Sequence, residues 1–194
     1  MPPEAQPPAC ADYAHPSAAW EKGNAGLRSA SPEDLWRSHS SGSRSGDRRT
    51  RALLKTYADS SVFVSLYIND QHSEEVRRGM ASGPTLWFTP LHRAEWTHAV
   101  EQHVFRRFMP ATAAMRVYSD FATDTRRRLW LETELPPRTF DTAVELARTH
   151  VASVGTRTLD TLHVACALEL KATAFWTFDD RQKKLAKAAG LKTF

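Results

Sequence analysis

From Thr56 onward the apolar and polar positions switch between two periods. Short strand-like runs, "KTYA", "TLWF", "LWLETEL", "TAFWTF" and "LKTF", alternate with longer stretches at helical spacing. "SVFVSLYIN" predicts a helix directly after the first strand, and "SEEVRRGMA" a second one capped by Ser73. Thr89 and Pro90 form a start signal for a long helix, "PLHRAEWTHAVEQHVFRRF", in which Trp96, Ala99, Val100 and Val104 recur on one side. Pro110 restarts the chain as the helical "ATAAMRVYSDFATDTRRR", while Pro136 and Pro137 end the third strand. "RTFDTAVELARTHVAS" closes near Gly155, and "DDRQKKLAKAAG" closes at Gly190. "TLDTLHVACALELKA" is expected to carry Leu159, Leu162, Cys166 and Leu170 on one face. This alternation predicts an α/β domain: a mainly parallel central sheet of about four to five strands, flanked by helices and connected right-handedly. Sites in such sheets form at the C-terminal edge, where strands hand over to helices.

Residues 1–53 read differently. "MPPEAQPPAC" is rich in proline, and "SHSSGSRSGDRR" has no periodicity. Such segments bury too little apolar surface to offset the entropy of ordering, so a disordered N-terminal extension is expected. One short helix is expected in "SPEDLWRSH", where Ser31 can cap, Pro32 suits the first turn and Asp34 stands at a capping-box position.

Composition narrows the class. The chain has 194 residues, 41% hydrophobic and 25% charged, which suits one domain with a real core. No apolar run approaches the roughly 18 residues of a membrane span, and no basic-then-apolar signal opens the chain. Cys10 and Cys166 lie in the tail and in an apolar helix, so no disulfide framework is expected and a cytoplasmic setting fits. The net charge is +4; residues 1–50 carry six basic and six acidic residues, so the whole excess lies beyond them. That balance is compatible with a polyanionic partner.

Four acids stand at or just after predicted strand-to-helix handovers. Asp59 ends the first strand, Glu95 lies in the second turn after "TLWF", Asp160 in the first turn of "TLDTLHV", and Asp179 directly after "AFWTF". Each has an alternative role: the aspartates as helix caps or dipole partners, Glu95 as an exposed acid. Four carboxylates meeting at one sheet edge repel, and a hard cation such as Mg²⁺ or Mn²⁺ resolves that repulsion. Other motifs fit worse. A phosphatase of the haloacid dehalogenase type needs a second Asp where Ser61 stands. Glu95 and His98 form one Glu-x-x-His, but a di-iron bundle needs two. His163, one turn after Asp160, reads as a structural hydrogen-bonding residue that could also reach a phosphate. There is no P-loop and no dinucleotide fingerprint. "RRR" at Arg126–Arg128 reads as a solvated helix end.

"YADSSVFVSLY", "LHRAEW", "TLDTLHVACALEL" and "FWTFDDRQKKLAKAAGL" occur in the order and spacing of PIN domains, and the chain most resembles VapC-like toxin ribonucleases of bacterial VapBC toxin–antitoxin pairs. The resemblance covers residues 54–194 and implies a PIN-like three-layer fold. It makes Asp59, Glu95, Asp160 and Asp179 the catalytic and metal-binding quartet for Mg²⁺ or Mn²⁺. Ser60 and Thr177 would be accessory hydroxyls, and Arg181, Lys183 and Lys184 would contact RNA. Family members usually begin just before the first strand, so translation starting at Leu54 is expected as an alternative to residues 1–53. The implied activity is hydrolysis of RNA phosphodiester bonds. The alternative is a catalytically weak PIN-fold RNA-binding or scaffold module. The implied partners are an RNA substrate, a small VapB-like antitoxin laying a helix in an apolar groove, and a second copy in a homodimer, with no membrane.

Overall fold

The structure, a computed structural model, describes residues 55–194. The extension 1–53, the helix expected in "SPEDLWRSH", Cys10 and the expected domain start at Leu54 lie outside the described residues. In chain order the elements are β1 (Lys55–Ala58), α1 (Ser60–Tyr67), α2 (Ser73–Ala81), β2 (Thr85–Phe88), α3 (Pro90–Phe105), α4 (Ala111–Arg126) and β3 (Leu131–Glu132). They continue with α5 (Thr139–Leu146), α6 (Thr158–Glu169), β4 (Ala174–Trp176), α7 (Asp180–Ala188) and β5 (Lys192–Thr193). The sheet order is β3-β2-β1-β4-β5, and every neighbouring pair is parallel.

The period-2 pattern of the strands divides the interior into two layers. Ala58, Leu86, Phe88 and Trp176 point to one face and pack with Val62, Phe63, Trp96, Val100 and Trp130. Tyr57, Trp87 and Phe175 point to the other and pack with Leu146, Leu162, Cys166 and Leu185. Helices α1–α4 therefore cover one face and α5–α7 the other, giving three layers. β1 is central, in register with β2 through Thr56 and Leu86 and with β4 through Tyr57 and Phe175. α2 approaches β4 so closely that a Cβ on Gly79 would lie 2.2 Å from the Trp176 ring.

Several elements depart from the sequence expectation. The third strand is two residues long instead of seven; it is an edge strand paired only with β2, and both of its residues are exposed. The helix expected to run from Arg138 to Ser153 changes pitch: α5 passes into a π-helical segment, Ala147–Val151, and a last α turn, Ala152–Val154. It ends at Gly155 with φ 73°, a left-handed conformation that glycine adopts freely. Ser73 is not the cap of α2 but its first residue. Its hydroxyl is buried, accepting from the Asp70 N–H and donating to the Ile68 carbonyl, so it fastens the preceding loop. α6 has no single apolar face. Every residue from Thr161 to Ala167 is buried, whereas Leu159 is exposed. The helix is enclosed by the sheet, α5 and α7, and a helix enclosed on most sides shows no amphipathic stripe.

Candidate metal centre

Because all five strands are parallel, their C-terminal ends share one edge, and the four acids arrive there on separate elements. Asp59 follows β1 and stands at the N-cap of α1. Glu95 is carried by α3 after β2, Asp160 by the first turn of α6, and Asp179 by the N-cap of α7 after β4. The sequence reading therefore gave the right neighbourhood for each.

Three donors stand closest. One ligating atom each from Asp59, Glu95 and His163 lies within 4.8 Å of the others. The His163 Nε2–H donates a short hydrogen bond to Glu95 Oε2 and lies 3.8 Å from Asp59 Oδ1. Ser60 Oγ donates to the same Glu95 oxygen at 2.6 Å. On its other side His163 Nδ1 meets the Tyr57 hydroxyl at 2.9 Å. Burial by itself would push the Glu95 carboxyl up, but the hydrogen bond and charge of His163, with the Ser60 hydroxyl, outweigh it and hold Glu95 below its ordinary value. Beneath them His92 is fully buried, bonded through Nε2 to the Ala58 carbonyl and through Nδ1 to the Thr89 N–H. Burial, and then its neighbour His163, press His92 well below the ordinary histidine range, so it is neutral.

The aspartates differ in whether they cap their helices. Asp179 Oδ1 accepts the N–H groups of Arg181 and Gln182 at 2.8 and 2.9 Å, which is a true cap. Asp160 Oδ2 accepts the Arg157 N–H at 3.1 Å. Asp59 makes no cap bond although its backbone stands at an N-cap; Oδ2 instead accepts the Ser61 hydroxyl at 2.8 Å and faces Thr177 Oγ1 at 3.3 Å. Each of the four carboxylates thus commits one oxygen to the protein and leaves the other without a hydrogen bond from the described residues. Burial, and then the charges of Asp179 and Asp59, raise the Asp160 carboxyl above its ordinary value. The acids therefore feel one another across the edge. Asp160 and Asp179 stand outside the tight Asp59–Glu95–His163 group but within its field.

Thr177 is fully buried, 2.5 Å from Gln182 Oε1, and accepts the Asp179 N–H. Arg181 is exposed and reaches the Gly155 carbonyl at 3.3 Å. Lys183 is half-buried and Lys184 exposed, and neither has an ion-pair partner among the described residues. An open cleft of about 780 Å³ flanks α3 on the β3 side, lined in part by Thr89, Arg93, Thr97 and Glu132. It includes none of the four acids, and Arg93 there is tied to Glu132 at 2.6 Å.

Sequence reasoning undervalued His163, and it passed over Tyr57, His92 and Gln182. The one signal for His163 was a polar ring set inside the apolar "LHVACA", three residues after Asp160. His98, by contrast, is exposed on α3, and Cys166 is a free buried thiol that burial pushes up to about 11, hence unreactive.

Among solved structures, the fold is shared with VapC20 of Mycobacterium tuberculosis, a sarcin–ricin-loop-cleaving toxin. The TM-score is 0.53 at 17% identity, over 71% of this chain and 96% of that one. It is also shared with VapBC2 of Rickettsia felis, bound to a promoter DNA fragment. There the TM-score is 0.51 at 14% identity, over 72% of this chain and 96% of that one. No curated protein matches the sequence. Residues 56–188 match the PIN domain, nearly all of the described fold, and with the parallel sheet and the carboxylates at its C-terminal edge this assigns the chain to the PIN-domain family.

Proposed function

We propose that the chain is a metal-dependent endoribonuclease acting as the toxin of a toxin–antitoxin pair. The observation that carries this reading is the set of unshared carboxylate oxygens around Asp59, Glu95 and His163. Hard oxygen donors beside one imidazole suit Mg²⁺ or Mn²⁺. Asp59 and Glu95 would hold the ion through their free oxygens, with Asp160 and Asp179 adding charge or further bonds. When bound, such an ion would activate a water and offset the charge that develops on the phosphodiester oxygens. Glu95, ionised and held by Ser60 and His163, orients that water or accepts its proton. Ser61 and Thr177 fix Asp59. Arg181, Lys183 and Lys184, on the first turns of α7 beside Asp179, contact the phosphate backbone. Its partner is a small antitoxin, as the similarity of the fold to the VapBC2 structure supports, and its working unit is a homodimer in the cytoplasm.

The test is cleavage of a generic single-stranded RNA with EDTA, Mg²⁺ or Mn²⁺ by the parent, Asp59→Asn and Asp160→Asn, with melting curves alongside. The reading requires metal-dependent cleavage lost in both variants, and a metal-induced rise in Tm that the variants share less. Cleavage that persists in EDTA overturns it.

A further inference from the structure

Glu95 sits on α3 with three rotatable bonds, and a free glutamate of that kind samples many rotamers. Here one of its oxygens, Oε2, takes both nearby donors, the Ser60 hydroxyl and His163 Nε2, while Oε1 takes none from the described residues. The carboxylate is clamped by one oxygen and presents the other. Of the two donors, His163 is the one with its own support. Its side chain is 1% exposed, against 24% for Glu95, so the ring cannot reach a substrate lying in the site. Its Nδ1 is engaged by the Tyr57 hydroxyl, and its ring packs 4.9 Å from His92 and 5.7 Å from Tyr57. Tyr57 is itself fully buried in central strand β1 and stacked on Phe175 at 5.6 Å. An ionised carboxylate only accepts, so the proton between His163 and Glu95 belongs to Nε2. The Tyr57 hydroxyl, 2.9 Å from Nδ1, holds the ring in the orientation that turns Nε2 toward Glu95.

We propose that Tyr57 and His163 form a positioning pair that fixes Glu95 from beneath the metal centre, touching neither ion nor RNA. The proposal rests on the nuclease reading above. It differs from treating His163 as a third ligand, because a ligand role would take the Nε2 lone pair away from the proton that Glu95 holds. A supporting shell of this kind is worth roughly 10–100-fold in activity or metal affinity when removed.

The experiment is a double-mutant cycle with kcat and KM measured on a short single-stranded RNA in Mn²⁺, for His163→Leu, His163→Gln, Tyr57→Phe, Glu95→Gln and the His163→Leu/Glu95→Gln and Tyr57→Phe/Glu95→Gln doubles. Expected are a fall in kcat of about 10–100-fold for His163→Leu with KM within about twofold. His163→Gln should recover most of the rate, since its amide N–H can stand near Nε2, and Tyr57→Phe should lose less than His163→Leu. In the Glu95→Gln background the His163 and Tyr57 changes should add little, as expected of residues acting through one group. Additive losses, or an unchanged His163→Leu, overturn the proposal. Loss of the Mn²⁺-induced rise in Tm in His163→Leu, with that rise kept in Glu95→Gln, overturns it in favour of a ligand role. If His163→Leu fails to fold, the Tyr57→Phe cycle decides. Should the parent neither cleave RNA nor gain stability from Mn²⁺, the nuclease reading fails by itself. Crystal structures then decide the positioning claim: Glu95 must keep its place in His163→Gln and leave it in Tyr57→Phe, and a Glu95 unmoved in Tyr57→Phe refutes it.

Discussion

Asp59 and Asp179 occupy equivalent places, each at the N-cap of the helix that follows a strand of the sheet, yet their carboxylates do different things. Asp179 turns an oxygen onto the open N–H groups of α7, whereas Asp59 leaves those of α1 and turns toward Ser61, Thr177 and the Glu95–His163 cluster. A helix start left without its cap bond gives up about 1 kcal/mol, so the orientation of Asp59 is a local cost to stability that the site explains. The same residue type in the same local setting caps its helix at one strand end and leaves the helix uncapped at the other.

The sharpest way to break this contrast is cleavage. Asp59→Asn should lower RNA hydrolysis by two orders of magnitude or more, on the order of 3 kcal/mol of barrier, while the fold survives. Asp179→Asn should lower it less, since Asn keeps the Oδ1 acceptor for the cap and loses only the free oxygen. Equal losses would erase the difference between the two positions.

The two half-buried acids beside them provide the next test, in metal-free melting across pH. Glu95 has a folded pKa below its unfolded value. It therefore stabilises the protein above the ordinary glutamate range, and that contribution disappears as pH falls through the folded pKa. Glu95→Gln should cost about 1.5–3 kcal/mol at pH 7, the range for a hydrogen bond to a charged group, with the gap closing in acid. Asp160 has the opposite sign. Its folded pKa is raised, so its ionised form opposes folding at neutral pH and protonation relieves this as pH falls. Asp160→Asn should therefore melt above the parent at pH 7, with the advantage vanishing in acid. Parallel pH curves for both variants would contradict the opposed signs.

A smaller effect isolates the cap itself. Asp179→Ala should lose about 1 kcal/mol and Asp179→Asn a few tenths at most. Asp59→Ala should show no cap loss, because there is no cap bond to remove. The smallest effect concerns RNA. Arg181→Glu should weaken binding and reduce the slope of log affinity against log salt by about one, without changing the metal-induced rise in Tm.

The sequence made the sheet legible because its strands are short, apolar and fenced by Pro, Gly and helix starts, as in "TLWF" before Thr89 and Pro90. It also placed Asp59, Glu95, Asp160 and Asp179 at one edge, since parallel connectivity alone requires that. Three things escaped it. Helix α6 is enclosed on most sides, and enclosure removes the stripe that a periodicity reading seeks. β3 is a two-residue exposed edge paired on one side only, which its apolar residues do not announce. The support under Glu95 joins Tyr57 to His163 across 106 residues and His163 to Glu95 across 68, and no local pattern encodes such pairs. Nor could a sequence show which carboxylate oxygen is committed and which is free.

The central position of β1 has a consequence for timing. Residues 55–58 lie between β2, about thirty residues on, and β4, which begins at residue 174. The Asp59 N–H bonds the Trp176 carbonyl at 2.8 Å, and Thr177 reaches Asp59 across 118 residues of chain. A polypeptide made from its N-terminus lacks the partner on the far side of β1, and the His163 that holds Glu95, until residues 163–176 exist. Pairings that distant are also the slow ones to form.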